Sequence, residues 1–128
     1  MTVFKRIDHT EIIPRDFERA INFYTDVLGF KVRTRQKVSA PPMEEVAYLD
    51  LNGTTVEMLS VTPVAPATAD PWRPGYRAIA LEVDDMDQAV KYLKGKGVDI
   101  TWGPVTLGTS KRAEIKDPDG LSIELRQW

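Results

Sequence analysis

Two stretches of this chain match each other at a nearly constant offset, and that repeat limits the fold more than any other feature. Asp16 and Asp85 stand 69 residues apart, as do Phe17 and Met86, Ala20 and Ala89, and Phe23 and Tyr92. Gly29 and Gly97 are 68 apart, and Glu57 and Glu124 are 67 apart. A drift of two residues across half a chain is what two copies of one supersecondary unit produce. Unduplicated α+β domains can also contain two strand–helix–hairpin runs. Here the helix caps, the helix stops and the hairpin glutamates all fall in step, which favours duplication.

Each copy reads as strand, helix, strand, hairpin. In the first, Ile7, His9, Glu11 and Ile13 share one face of a strand. Phe17, Ala20, Ile21, Tyr24, Val27 and Leu28 then recur at helical spacing, with Asp16 as N-cap and Gly29 as left-handed stop. Residues 30–37 form the next strand, and the SAPP run at 39–42 breaks it and begins a flexible loop. Residues 46–50 and 54–61 make a hairpin through Asn52-Gly53. The proline-rich residues 62–75 read as a linker. The second copy runs through a strand at 78–83, a helix capped by Asp84-Asp85, a strand at 98–102, a loop at 104–108, and a hairpin of 111–116 with 121–127 around DPDG. The expected fold is α+β: one domain over 1–128 of two tandem βαβββ modules, about 4–61 and 76–128, joined by 62–75.

At 128 residues and net charge −2, the chain has no basic block or stripe, which argues against a nucleic-acid or anionic-membrane partner. No apolar run is long enough to span a membrane. The lack of cysteine excludes disulfides, thiolate metal sites and a cysteine nucleophile, and fits a cytoplasmic location. No nucleotide fingerprint or phosphate loop is present; DPDG is a turn and GKG a helix stop.

The chemistry-bearing residues concentrate on strand faces. Thr55, Glu57 and Leu59 lie opposite Val56 and Met58, while Ser122, Glu124 and Arg126 lie opposite Leu121, Ile123 and Leu125. A sheet with an apolar face against a helix and Glu and His on the other builds a polar cavity. His9, the single histidine, points into it if the alternation holds. One imidazole and two carboxylates meeting there would suit a divalent metal. A lone strand histidine serves as readily as a hydrogen-bonded surface group, and a hairpin glutamate as a solvated charge. Glu11 and Glu82, further along the inward positions, read as rim or surface charges. Arg126 either orients an anionic substrate or pairs with Glu124. Tyr48, Met58, Leu59, Trp102 and Trp128 either line a substrate pocket or pack as core and edge cover.

The runs IDHTEI, FERAINFYTDVLGFKV, TTVEML, AIALEVDDMDQAVKYLKGKGV and IKDPDGLSIEL resemble the glyoxalase / bleomycin resistance / dioxygenase group, the vicinal oxygen chelate superfamily, over essentially the whole chain. The resemblance implies curved mixed sheets enclosing a metal-binding cavity, and a homodimer with sites often shared between subunits. It implies His9, Glu57 and Glu124 as metal ligands and Glu124 as the proton mover. The implied cofactor is a divalent ion (Mn, Fe, Co, Ni, Mg or Zn). The implied activity is that of an isomerase or lyase of the lactoylglutathione lyase type, acting on a small carbonyl compound through a metal-stabilised enediolate. The chain departs at Ala78, where glyoxalase-like members carry a histidine; Tyr76 and Arg77 beside it are no substitutes. Two alternatives stay open: a metal-free small-molecule or drug-binding protein of the bleomycin-resistance branch, and, more weakly, a ring-cleaving dioxygenase, which needs that histidine.

Overall fold

The computed structural model describes residues 3, 5–66 and 72–128. They divide into two units, one in each half of the chain. The elements are β1 (Thr10–Ile12), α1 (Phe17–Asn22), β2 (Lys31–Ala40), β3 (Met43–Leu51), β4 (Thr54–Val61), β5 (Ala78–Glu82), α2 (Met86–Gly95), β6 (Trp102–Leu107), β7 (Ser110–Lys116) and β8 (Ser122–Gln127). Among the described residues no helix is long and apolar enough to cross a membrane. Part of the expected linker, 67–71, lies outside the described residues; 62–66 and 72–77 carry neither strand nor helix.

Both units build the same mixed sheet. The orders are β1-β4-β3-β2 and β5-β8-β7-β6, with the first strand parallel to the last and the other pairs antiparallel. This is the α+β fold of two tandem modules that the repeat implied. The matching caps act as such: the Asp16 carboxylate accepts from the Arg19 amide and the Asp85 carboxylate from the Gln88 amide, both at 3.0 Å. Each satisfies one of the orphan donors of a helix start, a contribution of about 1 kcal/mol. Gly29 and Gly97 take φ of +85° and +78° where their helices end, a conformation that side chains with a Cβ resist. The NG turn is also as expected, with Asn52 and Gly53 both left-handed at φ 47° and 83°.

The core of the first unit is Ala20, Ile21 and Tyr24 with Ala47, Leu49, Val56 and Met58, where α1 lies against β4. In the second unit Met86 and Leu93 of α2 join Ala113, Ile115, Ile123 and Leu125 of the sheet. Each fully buried large side chain here contributes roughly 1.5–3 kcal/mol.

Four local expectations differ. The first helix does not stay α-helical to Leu28: residues Phe23–Val27 form a π-helical turn in which the Leu28 amide bonds to the Phe23 carbonyl at 3.2 Å. Within it the Thr25 hydroxyl donates back to the Ile21 carbonyl at 2.9 Å, offering the ladder a competing bond. The run at 39–42 is no flexible loop: β2 continues through Ala40, Pro41-Pro42 turns the chain, and β3 begins at Met43, earlier than expected. Two prolines fit this connection because a turn demands no amide donor from them. The strand expected at 98–102 forms later, at Trp102–Leu107, with Pro104 inside it. β6 is the edge of its sheet, and its pairing with β7 is interrupted between Trp102 and Val105, so Pro104 falls where the ladder is irregular. Finally, β1 is only three residues long, so His9 precedes it instead of lying within it.

Candidate metal centre

The short parallel pairing of β1 with β4 sets Glu11 directly opposite Glu57, and β3 sets Tyr48 on Glu57's other side. Glu57 is a buried carboxylate, with 9% of its side chain exposed. Desolvating such a charge costs several kcal/mol unless partners compensate. One partner is His9, whose Nε2 lies 3.1 Å from Glu57 Oε1. The same nitrogen lies 3.4 Å from Glu11 Oε2. The other ring nitrogen, Nδ1, faces Asp8 Oδ2 at 2.9 Å. The His9 side chain is 25% exposed and that of Glu11 57%.

One imidazole nitrogen and one oxygen from each of Glu11 and Glu57 lie within 4.8 Å of one another. Two states satisfy this arrangement. A doubly protonated imidazolium can donate from both nitrogens, and Asp8, as the main cause, with Glu11 and Glu57 pushes the imidazole pKa up from its ordinary value. Alternatively a neutral ring donates a hydrogen bond from its Nδ1–H to Asp8 and turns the Nε2 lone pair, beside two carboxylates, toward a cation. Donors bound side by side on an ion at about 2.1 Å stand roughly 3 Å apart, close to the two Nε2–carboxylate separations. The residues therefore fit a divalent ion with nitrogen and hard oxygen donors, and Asp8 supplies the outer hydrogen bond that fixes the tautomer of a ligating histidine.

Tyr48 is drawn into the same cluster. Its ring meets the imidazole edge-on at 5.9 Å, and the Arg33 guanidinium sits 5.0 Å from its centroid. The Glu57 charge, with burial and a hydrogen bond to that carboxylate, raises the phenol pKa. Met58 and Leu59 are buried in the first unit.

The second unit carries the matching row with a different charge balance. Glu124 is flanked by Ala80 on β5 and Glu114 on β7, as Glu57 is by Glu11 and Tyr48. Arg126 Nη2 bridges Glu124 at 2.9 Å and stacks over Trp128 at 4.8 Å; Arg77 Nη2 bridges Glu114 at 2.8 Å and stacks over Trp72 at 4.7 Å. Ala78, opposite Ser122, stands where His9 stands in the first unit.

The profile of the Glyoxalase/Bleomycin resistance protein/Dioxygenase superfamily matches residues 6–125. The chain belongs to this superfamily. It is 36% identical to the uncharacterised protein YaeR of Escherichia coli K12, covering 98% of both chains. It is 33% identical to a lactoylglutathione lyase of Escherichia coli O157:H7, covering 94% of this chain and 90% of that one. The crystal structure of a glyoxalase family protein from Enterococcus faecalis superposes with a TM-score of 0.84 at 24% identity, covering 98% of this chain and 100% of the other.

Of the residues the superfamily resemblance nominates, His9 and Glu57 come together in the first unit, and Glu124 lies in the second, held by Arg126. Sequence reasoning ranked Glu11 as a rim charge and overlooked Asp8. A signal for Glu11 existed: it shares the strand face of His9 two residues on. Strict alternation placed Asp8 on the opposite face from His9. Because the ladder starts only at Thr10, neighbouring side chains at 8 and 9 are free to meet.

Proposed function

We propose that this protein is a metal-dependent isomerase or lyase of the glyoxalase type, acting on a small carbonyl compound or its thiol adduct. The observation that carries this reading is the meeting of His9 Nε2 with the Glu57 and Glu11 carboxylates around one point. Relatives named lactoylglutathione lyase support the reaction class. A divalent ion would supply Lewis-acid polarisation of neighbouring substrate oxygens, worth several kcal/mol.

The chain's own groups have separate tasks. His9 and Glu57 hold the ion, with Asp8 orienting the imidazole. Glu124, the counterpart of Glu57 in the second module, is proposed as a further ligand and as the group that takes a proton from one carbon and returns it to the next. Such a shift is redox-neutral overall and needs no co-reactant. Tyr48 and Arg126 are proposed to contact substrate. The same reading makes the protein a cytoplasmic homodimer, on the strength of the family resemblance, and sedimentation tests that stoichiometry.

The experiment is metal analysis of protein purified without a histidine tag, with an assay for isomerisation of an α-oxoaldehyde–thiol adduct. The expected result is stoichiometric divalent metal and metal-dependent turnover, both lost in His9→Ala, with turnover lost in Glu124→Gln. Absence of metal together with undiminished drug binding in both variants would replace this reading with sequestration.

A further inference from the structure

Glu11 is not needed by the repeat, since the second module carries Ala80 at the matching position. Nor does its exposed side chain need the contact it makes. Its setting is nevertheless unlike that of the other paired carboxylates. Glu18 and Glu45 pair with Arg35, Asp50 with Arg33, Glu114 with Arg77 and Glu124 with Arg126. Among the described residues, Glu11 and Glu57 have no arginine or lysine partner; Glu57 accepts from the Tyr48 hydroxyl, and both carboxylates turn to one nitrogen of His9. Like charges placed directly opposite on adjacent strands repel, and a single Nε2–H can be directed well at only one of them. One cation in front of that nitrogen resolves both problems.

We propose that Glu11 is a metal ligand, supplying a third donor from the first module where the first strand of the second offers only Ala78 and Ala80. This deepens the metal-dependent reading above and rests on it. The first module's share of the donor set is then one imidazole nitrogen and two carboxylate oxygens, all carried by β4 and the three-residue strand beside it with its preceding residue. Its charge matches a divalent ion, and its donors suit manganese, iron(II), cobalt or nickel better than a closed thiolate-type zinc site.

The test is titration of the full-length, metal-stripped protein with cobalt(II), followed by calorimetry and by visible absorption, which responds to the number and kind of donors. Glu11→Gln removes the charge at nearly constant size. Glu11→Asp keeps the charge but shortens the reach. Both are expected to weaken cobalt binding by about tenfold or more and to change the absorption bands, with circular dichroism unchanged because the side chain is exposed. If both variants bind cobalt with wild-type affinity and spectrum while His9→Ala does not bind, Glu11 is a surface charge and the metal-dependent reading stands without it. A loss in Glu11→Gln alone, with Glu11→Asp like wild type in affinity and spectrum, reduces Glu11 to a distant charge and also overturns the assignment. If the unaltered protein binds no divalent ion, both readings fall together.

Discussion

In the first module the row across the sheet reads Glu11, Glu57, Tyr48; in the second it reads Ala80, Glu124, Glu114. Both rows carry two carboxylates. The second neutralises each with its own arginine, and each arginine is stacked on a tryptophan. The first sets its pair against one imidazole and the Tyr48 hydroxyl, with no arginine partner among the described residues. A fixed guanidinium satisfies a carboxylate permanently, with a planar fork that matches it. An imidazole can give up its proton and become a donor to a cation. Two copies of one scaffold have thus taken opposite solutions to the same electrostatic problem, and the difference lies in which residue stands two positions before the first-strand member of the row, His9 or Ala78.

The strongest way to break this contrast is to remove the imidazole. His9→Ala should lower divalent-metal affinity by about a hundredfold or more and abolish the metal-induced rise in stability. That rise should be about 2.7 kcal/mol when free metal is a hundred times Kd. Thermal unfolding with and without cobalt(II) measures both. Asp8→Ala should weaken the metal by about ten- to a hundredfold, and Asp8→Asn, which can still accept from Nδ1, should recover much of it. Recovery in the asparagine variant separates orientation of the ring from loss of a nearby charge.

On the other side of the contrast, Arg77→Ala should leave metal affinity within a few-fold and cost less than about 1 kcal/mol of stability, as partly exposed ion pairs do. A large loss of metal binding in that variant would mean the arginine-neutralised row is not independent of the other. The smallest effect concerns an arginine pair of the first module. Arg35 hydrogen-bonds Glu18 and holds its carboxyl below the ordinary value of 4.5. A depressed carboxylate pKa stabilises the fold above the unfolded value, and that stabilisation is lost as pH falls through the folded one. Glu18→Gln should therefore cost a few tenths of a kcal/mol near neutrality, with the difference from wild type vanishing in acid. Urea unfolding near neutrality and in acid checks it.

Much of this architecture was legible in the sequence because short-range chemistry decided it. Asp16 and Asp85 cap, Gly29 and Gly97 stop and Asn52-Gly53 turns for reasons contained in a few residues. His9 and Glu57 could be paired because pleat alternation and the repeat both pointed at them. Pro104 misled because its tolerance depends on β6 lying at a sheet edge, which is a tertiary fact. Pro41-Pro42 misled because a tight turn and a flexible loop share a composition. The π-helical turn at Phe23–Val27 has the same apolar spacing as an α-helix. Asp8 was overlooked because the number of residues in register with β4 sets where alternation begins, and that number is not written locally; Glu11 does lie on the face of His9, as alternation implied.

The brevity of β1 also has a kinetic meaning. The imidazole is tethered by three paired positions at the rim of its sheet, so its position is renewed each time that rim frays and closes. Amide protons at Thr10–Ile12 should exchange with solvent far sooner than those of β4, and occupancy of the cluster should slow them. Any guest held there also clamps β1 against β4, and loses in affinity the fraction of time that the strand is open.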